Sequence, residues 1–571
     1  MSPDPLSGLD SSQEQAVRLE GHALIIAGPG SGKTRTLAAR AVWLLASGAG
    51  DLAAVAFTRD SAREIRSRIR SGIGGREGNK RVMAGTFHSL ASKQLKNHGV
   101  RVRLLDEAGR AHYVLRAREI CGDDLPIDEA LRLIDGFKAT TAPPPADGVG
   151  TALFAAYQRL LARDGILDFS DLVLKAVSGM GDGTIQPLPV RWLMVDEAQD
   201  LDDAQYAWLR AHVRAGVSIT LVGDDDQSIY GWRHALGFHG LERFANELRA
   251  ARAVLTRNYR CAPEVAEPAL RLIRHNPTRF AKPIQPERPA GGDIRVIPAT
   301  RRIDEAEIII RNLLAEPGQW AVLARTNRLL DFPELLCGPA NLPVRRLGGR
   351  SFWERPAASA VCDALLSIQD GSWVGVDRLL GLVGLPPSTL ETLRGQTLAE
   401  IVAHPPDVLP PNTPHRRAAV SLCGLMPQWR ELAHRERTNL LLTALSQWLT
   451  NHISGHFVSE IARQACTALA RREGSLAARL AGVRANSSRP PREDTPPVIL
   501  ATLHAAKGLE WDRVWILACE EGVVPHIDAP LDEERRLFYV GMTRARHHLT
   551  CSFALTEGVR SRFLEEAGLF S

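Results

Sequence analysis

The stretch Ala27–Thr34, reading AGPGSGKT, constrains this chain more than any other. It fits the Gly-rich phosphate-loop pattern with Ala in place of the first Gly, and its flanks supply the strand and helix that the pattern needs. Ala23-Leu24-Ile25-Ile26 before it reads as a buried strand, and Thr36–Leu45 after it as a helix. Gly28, Gly30 and Gly32 free the backbone to curl, so that N–H groups around Ser31 face a phosphate. The helix N-terminus that follows adds partial positive charge at the same point. Lys33 is then placed to reach the β- and γ-phosphates, and the Thr34 hydroxyl to ligate Mg²⁺. The chain draws most of its basic residues from Arg, so a Lys here suggests that a compact point charge is wanted rather than a planar fork. ATP with Mg²⁺ is the expected ligand pair.

At 571 residues the chain is too long for one core and predicts several domains. A net charge of +5 is mild, so any nucleic-acid surface must be local. No apolar run is long enough to span a bilayer, and the start MSPDPLSGLD lacks the pattern of a signal peptide. Eight scattered cysteines without a CxxC pair argue against a zinc or iron–sulfur site. Free thiols in a large enzyme point to a reducing cytoplasm.

Taken in order, Leu9–Val17 reads as a helix start capped by Asp10 or Ser11, and Gln13 could read an adenine edge by donating and accepting together. Ala53–Phe57 is a second strand and Arg81–Phe87 a third, ending in Thr86-Phe87-His88, which suits contact with a sugar–phosphate backbone. Residues 90–165 read as helices broken by a loop at Ala142-Pro143-Pro144-Pro145. Arg191–Val195 is a strand that delivers Asp196 and Glu197: the first placed to hold Mg²⁺ through water, the second to orient or deprotonate the attacking water. Val217–Gly223 leads into Asp224–Arg233, where Gln227 can sense a γ-phosphate without competing for metal. In the same run Trp232 beside Arg233 offers a stacking plate and a cation for single-stranded bases.

With the later motifs Leu255–Arg260 (LTRNYR), Thr502–Glu510 (TLHAAKGLE) and Glu533–Ala545 (EERRLFYVGMTRA), the chain resembles a superfamily 1A helicase of the UvrD/PcrA/Rep type over most of its length. The resemblance implies an α/β architecture of two RecA-like motor domains, parallel sheets flanked by helices, with helical accessory insertions. The first motor domain takes residues 1–89 and 166–254, with 90–165 as its insertion. The second takes 255–369 and 498–571, with 370–497 as a reduced accessory domain. The resemblance also implies that Arg260 and Arg544 reach across the cleft toward the γ-phosphate, that Tyr259 and Arg35 sandwich adenine, and that Glu510 contacts the ribose. Phe57, Thr86, His88, Trp232, Arg233, Arg325 and His504 fall on DNA-contacting positions. Single-stranded and 3′-tailed duplex DNA are the implied partners, travel is 3′→5′, and the implied setting is DNA repair or genome maintenance. An alternative of another class is a DNA-stimulated ATPase that acts as sensor or switch subunit beside a nuclease partner, in repair or anti-phage defence.

Several positions depart from the family pattern. Arg59-Asp60-Ser61-Ala62 stands where Asn-Lys-Ala-Ala is usual, Ala324 where an aromatic precedes Arg-Thr-Asn, His234 where Gly follows Trp-Arg, and Trp511 where Phe follows the ribose-contacting Glu. Between the strand expected at Leu549–Phe553 and Ser561-Arg562-Phe563-Leu564, too few residues remain for the family's duplex-splitting β-hairpin. The accessory segment is short, is broken at Pro386-Pro387, Pro405-Pro406 and Pro410-Pro411, and leaves through a polar, Pro-rich stretch at Ser487–Pro497.

Overall fold

The computed structural model describes residues 4–73, 80–146, 148–488 and 496–570. Most of the Ser487–Pro497 stretch, residues 489–495, lies outside the described residues. Two six-stranded sheets, parallel throughout, organise the chain. The first contains β1 (Ala23–Ala27), β2 (Leu52–Val55), β3 (Val82–Gly85), β4 (Trp192–Val195), β5 (Ser218–Gly223) and β6 (Ala251–Leu255), in the order β3-β2-β4-β5-β1-β6. Its inner strands are short apolar runs because helices cover both faces. Leu24, Ile26, Ala53, Val55, Leu193 and Val195 face one core, while Ile25, Ala27, Leu52, Ala54 and Met194 face the other, as a period of two requires.

After a small pair formed by β7 (Arg257–Asn258) and β8 (Gln285–Pro286), the second sheet is built from six more strands. These are β9 (Asp293–Ala299), β10 (Trp320–Ala324), β11 (Val344–Leu347), β12 (Val498–Thr502), β13 (Trp511–Ile516) and β14 (Ala545–Ala554). Their order is β11-β12-β10-β13-β14-β9. The sequence reads no strand at β6 or β11 and one at Val514–Ala518, whereas the strand there, β13, spans Trp511–Ile516.

Two helical bodies carry cores of their own. Helices Glu107–Cys121, Ile127–Lys138 and Thr151–Asp164 close around Val114, Ile134, Tyr157 and Leu161. This insertion is narrower than residues 90–165, because Leu90, Ala91 and Leu95 of helix Phe87–Asn97 belong to the first sheet's core. The accessory body shares one core that runs from Leu335 to Val483 and includes Trp429 and Trp448. It therefore starts before residue 370 and includes helix Pro356–Asp370, whose Val361 and Leu365 are buried in it. Beyond β14 the chain turns at residues 555–557, makes a single antiparallel bridge between Glu520 and Arg560, and enters helix Arg562–Glu566. All eight cysteines are free. Among the described residues no helix is long and apolar enough to cross a membrane.

Candidate nucleotide site and nucleic-acid face

Strand β1 runs directly into the glycine loop, and helix Lys33–Ser47 starts where the loop ends. Gly30 sits at φ +66, and a methyl there would lie 2.6 Å from Asn258 Oδ1 and 2.9 Å from the Arg260 backbone nitrogen. Both the turn and the close approach of residues 258–260 therefore demand glycine. The Tyr259 N–H donates to the Gly30 carbonyl at 2.9 Å. Gly28 differs from expectation: its φ is not positive, and what it supplies is room, since a methyl would meet Ile284 Cδ1 at 2.3 Å. Ser31 Oγ donates to the Gly28 carbonyl at 2.8 Å, and Gln13 Nε2 donates to the Ser31 carbonyl at 3.0 Å. Asp10 caps helix Ser11–Arg18 in a reciprocal box with Gln13, so this buried glutamine braces the loop from outside.

Carboxylates gather opposite the loop at the ends of β4 and β5. Thr34 Oγ1 donates to Asp196 Oδ2 at 3.4 Å, and Lys33 Nζ lies 4.0 Å from Asp224 Oδ2. Burial, reinforced by the neighbouring Glu197 charge, pushes the Asp196 carboxyl well above its usual range. For Glu197 burial works the other way from its surroundings: Lys33, Lys507 and a 2.6 Å hydrogen bond from Gln199 outweigh it and keep this carboxyl ionised more readily than usual. Glu197 sits in the left-handed region (φ 53, ψ 39), a costly conformation for a side chain with a β-carbon. A Thr hydroxyl beside two carboxylates is a hard oxygen donor set that fits Mg²⁺. A second acidic group, Asp224-Asp225-Asp226, has carboxylate oxygens within 4.8 Å of one another. That group is already filled: Lys282 Nζ lies 2.6 Å from an oxygen of each, and Arg279 grips Asp226 with both arms.

The second sheet closes the site with cations. Arg544, directly ahead of β14, is fully buried; its Nη2 donates to Gln227 Oε1 at 3.2 Å, and its Nε to the Val540 carbonyl at 2.9 Å. Gln227 in turn donates to Asp224 Oδ2, the oxygen nearest Lys33. Burial, with Arg260 nearby, pulls the Arg544 guanidinium down to about 9. Lys507 donates to the Asp200 carboxylate and, at 2.9 Å, to the Gln227 carbonyl. Arg260 points at Glu510, whose other oxygen accepts from Arg546 at 2.8 Å. Tyr259 and Arg35 are each tied to the segment before the first helix: Tyr259 OH donates to Asp10 Oδ2 at 2.7 Å, and Arg35 Nη2 to the Ser7 carbonyl at 3.4 Å.

The residues expected to meet DNA lie at other strand ends. Phe57 follows β2 and meets Phe87 edge-on, while Thr86 follows β3 and caps helix Phe87–Asn97. His88 packs edge-on against Phe169, and burial lowers its basicity against the pull of Asp168. Trp232 is 58% exposed, with the Arg233 guanidinium 4.5 Å from its ring centroid. From the second sheet, His504 follows β12 and lies 6.5 Å from Tyr230, whose ring also carries Lys507 at 4.8 Å. Burial and the charges of Arg325 and Lys507 push His504 down to about 4, so it is neutral near pH 7. Arg325 follows β10 and is paired with Glu534 at 2.9 Å.

Comparison with known proteins shows the family. A model described as UvrD/REP helicase N-terminal domain matches residues 9–128 and 144–248, and one described as UvrD-like helicase C-terminal domain matches residues 473–556. The chain is 30% identical to ATP-dependent DNA helicase UvrD2 of Mycobacterium tuberculosis, over 98% of this chain and 81% of that protein. The chain belongs to the UvrD/REP helicase family. It is also 29% identical to DNA helicase II of Salmonella typhimurium (96% of this chain, 85% of that protein) and 28% identical to ATP-dependent DNA helicase Rep of Escherichia coli (95% and 90%).

Within this UvrD-type frame, some departures acquire a setting. Ala324 is fully buried in β10, so the residue at that place packs in the core. Three basic residues lie outside every motif of the sequence, Lys282, Arg279 and the buried Arg40, while Lys507 lies inside TLHAAKGLE without having been singled out there. Arg40 donates to the carbonyls of Ala16, Val17 and Leu19 and so ties the Gln13 helix to the phosphate-loop helix. No local pattern marks any of the three, since their partners are distant in sequence.

Proposed function

We propose that this UvrD-type chain is an ATP-driven motor on single-stranded DNA, a 3′→5′ translocase and helicase of genome maintenance working in the cytoplasm. In this reading the first sheet with its insertion, and the second with its accessory body, are the two RecA-like motor units. The observation that carries the proposal is Arg544. Among the described residues its hydrogen bonds all go to neutral acceptors: Gln227 Oε1, Thr543 Oγ1 and the Val540 and Leu509 carbonyls. A buried cation without a bonded carboxylate is costly unless an anion completes the site. The phosphate loop, Lys33 and Gln227 supply the place for a nucleotide's phosphates.

ATP is the substrate, held by residues 28–34 with Gln13, Arg35, Tyr259 and Glu510 around base and ribose. Mg²⁺, when bound at Thr34 and Asp196, supplies charge neutralisation at the phosphates. Glu197 takes the proton of the attacking water, a role suited to a carboxylate that Lys33 and Lys507 keep ionised. Arg544 and Arg260 neutralise charge that builds on the transferring group, which requires a closed cleft. Closing moves the second sheet's Arg325 and His504 relative to Phe57, Thr86, His88, Trp232 and Arg233, so bases step between plates.

A partner-dependent role has one supporting observation. The segment after β14 makes a turn and one bridge where a duplex-splitting hairpin would need two strands. Opening a base-pair step costs on the order of 1.4 kcal/mol of stacking, and a rigid element must turn motion into separation. We therefore expect the purified chain to strip streptavidin from single-stranded DNA readily while unwinding a 3′-tailed duplex weakly. Both assays, run beside a 5′-tailed control, test the proposal. Efficient unwinding of a long 3′-tailed duplex without a partner would overturn the weak-unwinder part, and no movement on any strand would leave only the ATPase switch beside a nuclease.

A further inference from the structure

His234 stands where the family pattern has glycine, and its backbone still behaves as a glycine would, with φ 61 and ψ 27. A β-carbon makes that conformation unfavourable, so some compensating contact is expected. The side chain provides it. Its ring lies over helix Ile127–Lys138 of the insertion, where a methyl on Gly136 would be 2.9 Å from His234 Nε2 and 3.2 Å from Cε1. Glycine inside a helix is itself unfavourable. Two locally disfavoured residues, distant in sequence, thus meet face to face.

The loop between them and the cleft is short. Gly231–Arg233 form one tight turn, closed by the His234 N–H on the Gly231 carbonyl at 2.8 Å, and it displays Trp232 and Arg233. At its other end the Gly231 N–H donates to Glu533 Oε1 at 3.0 Å, in helix Leu531–Met542 against the second sheet. Helix Ile127–Lys138 is rooted on the first sheet's side. Buried Lys138 bonds Asp168 and Asp171 at 2.7 Å each, the Ala204 N–H donates to the Ala139 carbonyl at 2.9 Å, and Thr140 Oγ1 donates to Asp203 at 3.2 Å. The stacking loop is therefore held from both sides of the cleft.

We propose that His234 is a positioning residue: packed on Gly136, it anchors the Trp232–Arg233 loop to the helical insertion. Movement of Glu533 with the second sheet then tilts the two side chains that meet single-stranded DNA instead of dragging the whole loop. This rests on the motor reading above. It adds a role for the insertion and for a residue that the family pattern does not share.

The test uses the full chain and three variants: Gly136→Ala, His234→Gly and the double substitution. In Gly136→Ala the ring, at the end of a rotatable side chain, is displaced while the helix gains intrinsic propensity. Each single variant should raise the oligothymidine concentration that half-saturates ATPase stimulation about fivefold, a fraction of the stacking contribution. Turnover at saturating DNA, KM for ATP and DNA-free turnover should stay at wild-type values. The melting temperature of Gly136→Ala should hold or rise, and the double variant should be no worse than His234→Gly. A Gly136→Ala protein with unchanged half-saturation, or additive losses in the double variant, would overturn the anchor. Wild-type protein lacking any DNA stimulation would instead sink the motor reading. Anisotropy of labelled oligothymidine on the same four proteins would still decide the anchor by the same pattern.

Discussion

The two sheets are alike in strand number and direction and unlike in what their ends carry. In the first, the order β3-β2-β4-β5-β1-β6 puts the phosphate loop, Asp196 with Glu197, and Asp224 with Gln227 on the three neighbouring strands β1, β4 and β5. Phe57 and Thr86 sit together on β2 and β3 at the far side. The second sheet has no such loop at the ends of β10 or β12, which lead into Arg325 and His504. What it brings to the cleft is positive charge, Arg544 and Lys507, while Arg279 and Lys282, between helix Pro263–Ile273 and β8, add two more cations beside Phe280, which packs on the first sheet's core. The first sheet is thus crowded with buried carboxylates, which Lys282, Arg279 and Lys507 relieve, while Arg544 faces them with, among the described residues, only neutral acceptors bonded to it. Complementary charge across a cleft makes closing favourable and ties the two halves to whatever anion lies between them.

The largest effects should come from breaking one side of that complementarity at a time. Arg544→Ala is expected to cut DNA-stimulated ATP turnover by about 10³-fold, the usual contribution of an arginine reaching across to the transferring phosphoryl group. Glu197→Gln, on the other side, should cut it roughly 10²-fold or more, because water activation is lost while charge at the phosphates persists. Both proteins should still bind a fluorescent ATP analogue and single-stranded DNA. Should Arg544→Ala hydrolyse ATP within about tenfold of wild type, the second sheet would be a lid rather than half of the site.

Smaller effects are expected where side chains are exposed. Trp232→Ala should weaken the coupling between DNA and ATP use, since stacking on one aromatic is worth about 1–3 kcal/mol. The readout is the oligothymidine concentration needed for half-maximal ATPase, together with turnover at saturation. DNA stimulation equal to wild type would mean that Trp232 does not belong to the DNA face, and that the first sheet's side of it rests on Phe57, Thr86 and His88.

How much could be read beforehand follows the same division. Inner strands such as β1, β4 and β10 are legible because they are buried on both faces and bounded by loops, and the chemistry at their ends is local in sequence. The missed strands β6 and β11 are the edges of their sheets. Ala251–Leu255 and Val344–Leu347 carry arginines toward solvent, which breaks the apolar run that marks an inner strand. Strand β13 was misplaced because Asp512 and Arg513 disguise its first residues. Lys33, Thr34, Asp196, Glu197 and Gln227 were found from patterns, and the structure gathers them. Lys282 had no pattern to show it, since a lysine becomes the centre of three carboxylates only through tertiary contact. Arg325 was expected at DNA and is paired with Glu534, a partner that spacing alone does not reveal.

The finest test asks whether base recognition belongs to the first sheet's side. Gln13 Nε2 donates to the Ser31 carbonyl, and Gln13 Oε1 accepts from the Asp10 N–H at 3.2 Å. A primary amide has one further hydrogen and one further lone pair, which is what an adenine edge needs and what a guanine edge presents reversed. Both existing bonds act on the glycine loop and on the helix that Arg40 ties down, so losing the side chain disturbs phosphate binding as well as base reading. Gln13→Ala should raise KM for ATP about fivefold, the equivalent of one hydrogen bond of average strength. KM for GTP should rise less, and turnover at saturating ATP should hold. Equal losses for ATP and GTP would confine Gln13 to bracing the loop. Base selection would then fall to Tyr259, whose hydroxyl reaches Asp10 from beyond the first sheet's last strand.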